Sequence, residues 1–169
     1  MDSDEITSYL RSFGDVVYSK FKGCFTFDRL PQIIESQHFY IINTKDSKEC
    51  EKKDGNGHWT ILFGSDSHQG EKKYAIFFDP FGRICENYNL IKKTLKNHSY
   101  ILYNNICLQS IFSNLCGVHC VLVSVFMCHH YTFESILYSV YDLSTQHEMT
   151  NDLIALKVFH NLTPADFKN

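Results

Sequence analysis

From Ile106 to Cys120 the chain reads Ile-Cys-Leu-Gln-Ser-Ile-Phe-Ser-Asn-Leu-Cys-Gly-Val-His-Cys, which sets Gln109 seven residues before Cys116 at the start of a long apolar run. Upstream lie Gly57-His58-Trp59 and Phe78-Asp79-Pro80-Phe81-Gly82. In chain order these supply an imidazole, a carboxylate, an amide and a thiol: a base, a group that orients it, an oxyanion donor and a nucleophile. Thiol-dependent acyl transfer needs that set, so the pattern points to cysteine-peptidase chemistry.

Each position has a physical reason. Cys116 opens a segment read as a buried helix, whose unpaired N–H groups and positive dipole end, or a nearby imidazolium, can bring a thiol well below its free pKa of roughly 8.5. Gly117 lets a substrate backbone come close. His58 follows Gly55-Asn56-Gly57 and precedes the apolar run that begins at Trp59, so it stands at the mouth of a strand within reach of a helix start. Asp79 ends the next strand and can hold the imidazole in the tautomer that faces the sulfur, although Asp-Pro is also a turn former. The Gln109 amide can donate to an oxyanion together with the backbone N–H of Cys116; its alternative is a surface glutamine. Cys24, Cys107, Cys120 and Cys128 read as small buried hydrophobes. Cys116, His119, Cys120, Cys128, His129 and His130 also invite a zinc reading. Structural zinc draws on separated ligand pairs, whereas these lie along one apolar helix and point in different directions, so no metal and no other cofactor is expected.

The elements that carry these residues follow from periodicity. Ile6, Tyr9, Leu10 and Phe13 mark an amphipathic helix over 4–13, capped by Ser3 or Asp4 and stopped by Gly14. Lys20 to Pro31 reads as ordered loop with a short strand or turn. His38–Asn43, Trp59–Phe63 and Tyr74–Phe78 are near-continuously apolar strands, buried on both faces, and Tyr100–Tyr103 is a fourth. Residues 46–57 and 64–73 are exposed connections. Tyr88–Leu95 is a half-buried crossover helix. Cys116–Cys128 is apolar all round and therefore central. Helices over 132–141 and 150–162, each with a threonine cap, complete the pattern.

The 169 residues are of single-domain size, and 44% hydrophobic with 15% aromatic residues is enough for a packed core, so one peptidase domain over 1–169 is expected. A net charge of −3 and a pI near 6.3 lack the basic field of a dedicated nucleic-acid binder. The lysine clusters Lys52-Lys53, Lys72-Lys73 and Lys92-Lys93-Lys96 read as solvated faces. Seven cysteines, an odd count, behind an acidic Met1–Glu5 segment suggest a reducing compartment rather than secretion. The longest apolar run, the eleven residues Val118–Cys128, is too short to span a membrane. A monomer is expected.

The four motifs and their order resemble the adenovirus-type maturation proteases, the adenains, most of all their relatives in virophages and Polinton-like elements; SUMO-specific proteases belong to the same clan. The resemblance runs from Ile6–Leu10 through Tyr40-Ile41-Ile42-Asn43-Thr44 to Asn151-Asp152-Leu153. It implies an α+β fold, a mixed sheet packed against helices with a central buried helix carrying the nucleophile. It also implies Cys116 as nucleophile, His58 as base, Asp79 as orienting acid and Gln109 as oxyanion donor. With the resemblance, Gly57 and Trp59 beside the base would leave a narrow channel that requires glycine next to the scissile bond, and Gly117 completes the expected substrate-binding residues. The implied activity is cleavage of viral capsid or core precursors at glycine-containing sites during virion maturation, in the virion and the cytoplasmic viral factory. Removal of a ubiquitin-like protein after Gly-Gly is the alternative that the same residues serve, and a non-enzymatic or zinc-stabilised interaction module is a third. Asp79 stands where adenovirus enzymes often have glutamate. Cys107, two residues before Gln109, does not match the cysteine that takes their activating peptide, so the sequence supports neither an activating peptide nor DNA as a partner.

Overall fold

The computed structural model describes residues 1–50, 57–65, 73–87 and 89–167. Much of the two expected connections, with Lys52, Lys53, Lys72, Gly55 and Asn56, lies outside the described residues, as does Tyr88. Helix α1, Ser3–Ser12, buries Ile6 and Leu10 as its spacing predicts. Its cap is Asp2 rather than Ser3 or Asp4: the Asp2 carboxylate accepts from the N–H groups of Asp4 and Glu5, and Glu5 accepts from the Asp2 N–H. This reciprocal box satisfies more of the open helix donors than a single hydroxyl would. Gly14, at φ 85°, ends the helix as expected, and a single turn α2, Asp15–Tyr18, follows.

The segment after it is more regular than its mixed composition suggests, forming the six-residue strand β1, Phe21–Thr26. Next come β2, Phe39–Asn43; the short α3, Ser47–Cys50; β3, Trp59–Gly64; β4, Tyr74–Phe78; α4, Asn89–Thr94; and β5, Tyr100–Tyr103. The strands form one sheet in sequence order, with β2, β3 and β4 antiparallel at the centre and β1 and β5 parallel to their neighbours at the edges. A parallel neighbour needs a crossover, and α4 with the 3-10 turn Leu95–Asn97 supplies the one between β4 and β5.

Side chains alternate across this sheet, so both faces need cover. Phe39, Ile41, Trp59, Ile61, Ile76 and Phe78 face the helical layer, while Tyr40, Ile42, Leu62, Ala75 and Phe77 pack against Ile34, Cys85, Ile91 and Leu95. That double burial is why the central strands read as unbroken apolar runs.

Helix α5, Cys116–Cys128, lies in the helical layer against β3, with 11 of its 13 residues buried. Around it pack α1, α2, α6, Phe133–Gln146, and α7, Asn151–Asn161. Thr132 and Thr150 cap the last two helices as expected, by accepting from the N–H groups of Ser135 and Leu153. Helix α6 runs past the expected end at Tyr141 because the apolar spacing Ile136, Val140, Leu143 continues along the cavity it shares with α5 and α7. The architecture is thus the expected α+β arrangement, a mixed sheet against helices with Cys116 heading the central one.

Candidate active site

The β3–β4 ladder pairs Ile61 with Phe78; continued outward, that register sets His58 level with the turn that Asp79 begins. The His58 ring stacks on Phe81 at 4.4 Å between centroids, and its Nε2 lies 2.6 Å from Asp79 Oδ1. With Nε2 so engaged, the other ring nitrogen is the one left for the Cys116 thiol, whose pKa His58 lowers. The imidazole therefore bridges carboxylate and sulfur.

Burial opposes all three charges, yet the hydrogen bonds outweigh it. Burial alone would raise the Cys116 thiol, but His58 and the backbone N–H groups of Trp59 and Gly117 bring it below its ordinary value. Burial alone would lower His58, but Asp79 and Cys116 raise it. Burial would raise Asp79, but His58, the Phe81 N–H and Arg83 lower it. A buried carboxylate without partners would cost several kcal/mol. Asp79, 0% exposed, also accepts from Phe81 N–H at 2.8 Å and Arg83 Nε at 2.8 Å. The Cys116 and His58 shifts both run toward the thiolate–imidazolium pair.

Asp79 is a turn former as well. Its C=O accepts from Gly82 N–H at 2.7 Å, and the buried Asn104 side chain donates to that C=O at 2.6 Å while accepting from the Asp79 N–H at 3.0 Å. Gly82 has φ 71°, and a Cβ there would stand 2.8 Å from the Ile106 carbonyl carbon. That close approach lets the loop carrying Gln109 rest on the turn, where the N–H groups of Leu108 and Gln109 share Pro80 O at 2.8 and 3.0 Å.

Gln109 is no surface residue: it is 2% exposed, and Nε2 donates to Ser113 O at 2.9 Å. A carbonyl acceptor there sets which end of the amide is nitrogen, and one N–H is left over. Among the described residues its Oε1 is buried without a partner.

The expected substrate-binding residues are placed as follows. Gly57 packs where a Cβ would run into the Asn43 amide. Trp59 is buried and its indole N–H donates to Met1 O at 2.9 Å. A Cβ on Gly117 would stand 2.9 Å from Met1 Cβ, so Met1 borders both residues.

Arg83, Asn104 and Phe81 carry no role in the sequence reading, and each touches the candidate dyad. Phe81 lies inside the Asp79 motif and Arg83 four residues after the acid, so both stand close to it in sequence, whereas Asn104 does not. Among the described residues no group of three or more His, Cys, Asp or Glu side chains could hold a metal ion. His119 is turned to Asp152, and His129 stacks on Phe167.

Cys107, read as buried, is exposed because its loop rides over the Asp79 turn. Burial raises Cys24 to about 12 and Cys85 and Cys128 to about 11, and lifts Cys120 and Cys50 as well. Stoichiometric iodoacetamide at neutral pH is accordingly expected to modify Cys116 first, with exposed Cys107 as its main competitor. Thiolate forms as pH rises through a thiol's pKa, so Cys116 labelling should reach its plateau at lower pH than a free thiol's. A mass map with equal labelling of several cysteines would count against an activated thiolate.

No protein-family model and no curated protein sequence matches the chain. Among solved structures it is similar to the crystal structure of the ASFV pS273R protease, at 15% identity over 69% of this chain and 53% of that one, with a TM-score of 0.43. The chain thus spans about half the length of that protein.

Proposed function

We propose that this protein is a cysteine endopeptidase that cleaves viral capsid or core precursors at glycine-containing sites during virion maturation. The observation that carries the reading is the His58 ring, held by Asp79 at 2.6 Å through Nε2 while the Cys116 thiol and the imidazole shift each other toward the charged forms.

In this reading the Cys116 thiolate attacks the scissile carbonyl, and the oxyanion is met by the Cys116 N–H, which has no partner inside its helix, and by the second N–H of Gln109. His58 gives its proton to the leaving amine, and the acyl group stays on sulfur. His58 then takes a proton from water, hydroxide attacks the thioester, and Cys116 is released. Asp79 keeps the imidazole oriented throughout without itself being protonated. The viral substrates rest on the motif resemblance, from Gly57-His58-Trp59 to Cys116-Gly117.

The test offers purified protein candidate precursor peptides and, in parallel, ubiquitin-like fusions. Cleavage is expected in the precursors, and replacing the glycine beside the scissile bond with valine should slow it by about 10²-fold or more, because even a displacement near 1 Å can cost that much. Cleavage of the fusions alone would replace maturation with deconjugation. Equal rates for glycine and valine peptides would remove the narrow channel from either reading.

A further inference from the structure

Behind the Gln109 loop lies a second carboxylate–imidazole pair that the chemistry above does not use. His119, three residues into α5 from Cys116 and 2% exposed, places Nε2 at 2.9 Å from Asp152 Oδ1. Burial holds this imidazole below its ordinary pKa, Asp152 opposing, and facing a carboxylate oxygen its Nε2 is the donor. Asp152, in the first turn of α7 and 8% exposed, accepts the Ser110 N–H on Oδ2 at 3.0 Å. Ser110 is the residue after Gln109. The loop is therefore tied on one side to Pro80 O in the acid's turn and on the other to α7, and α7 is tied to the nucleophile helix.

We propose that Asp152, supported by His119, is a positioning residue that fixes the Gln109 loop relative to the nucleophile helix. The proposal rests on the reading of Gln109 as oxyanion donor. Stability does not account for the pair, since well-packed apolar residues usually serve a core as well or better than buried ionisable ones. Geometry does: both carboxylate oxygens are engaged, one toward the element bearing Cys116 and one toward the loop bearing Gln109. An oxyanion donor works only when it is held within about 0.5 Å of its place, which calls for such a support.

Hydrogen exchange and kinetics on Asp152→Ala and Asp152→Asn separate the outcomes. Exchange over residues 108–113 should speed up by about 10-fold or more in Asp152→Ala, with the central strands unchanged. With a precursor peptide, kcat should fall by about 10- to 10²-fold, KM should hardly move, and Cys116 alkylation should keep its rate. In the Gln109→Ala background, itself down by about 10² to 10³ in kcat, Asp152→Ala should add little, because both changes remove one interaction. Full additivity, or unchanged exchange over 108–113, overturns the proposal. Where Asp152→Ala does not fold, Asp152→Asn, which keeps the shape and loses the charge, gives the same readings in milder form. A wild-type protein without peptidase activity would overturn the proposed function instead, and exchange would still decide whether Asp152 holds the loop.

Discussion

Cys116→Ala is expected to lower kcat by on the order of 10⁶ while leaving the fold in place, because the nucleophile of a linked catalytic set carries nearly the whole effect of that set. The change removes one sulfur from a residue that is buried in the main core cluster, a loss of about 1 kcal/mol or somewhat more in packing. It also removes the anion that raises His58, so the imidazole pKa should fall in the variant. Peptide cleavage assayed beside a thermal melt and a histidine titration by NMR checks all three parts. Activity above about one per cent of wild type in a variant with a native melt would take Cys116 out of the nucleophile's role.

Asp79→Asn is expected to lower kcat by about 10² to 10⁴, severe but short of the nucleophile's loss. Two orientations are open to the new amide. With its oxygen on His58, its N–H₂ meets the Arg83 Nε–H, donor against donor. With its N–H₂ on His58, Nε2 must accept, which moves the imidazole proton to the nitrogen facing Cys116, where it cannot take the thiol's proton. Loss of the charge also lets His58 fall. The window in which thiolate and imidazolium coexist should therefore narrow from its upper side, the alkaline limb of kcat/KM moving down. Matched activity profiles for variant and wild type would leave Asp79 with its turn alone; a variant that fails to fold would show that the Asn104 and Gly82 contacts dominate its role.

Those two residues show what a sequence exposes. Asp79 is legible because it ends an apolar run and starts a turn, both local patterns. Cys116 is legible because it heads a run apolar on every side. The strands and the central helix are legible for the same reason, since alternation and the 3.6-residue period are properties of neighbouring residues. The Asp2 cap lay one residue before the expected hydroxyl cap, because a reciprocal box depends on where the Glu5 side chain turns.

Pairs separated in sequence are another matter. His119 and Asp152 stand 33 residues apart, Asp79 and Asn104 25 apart, and nothing local distinguishes either pair from solvated polar residues. The burial of Gln109 and the exposure of Cys107, two residues away, depend on where one loop crosses another element's turn. Side-chain spacing and backbone preference were enough to place the central strands, the main helices and the chemical types at their ends, but not β1, α2 or α3. Which nitrogen of His58 meets Asp79, what holds Asp79 from behind and what ties down the Gln109 loop emerge from packing between elements distant in the chain, which chooses the hydrogen-bond partners.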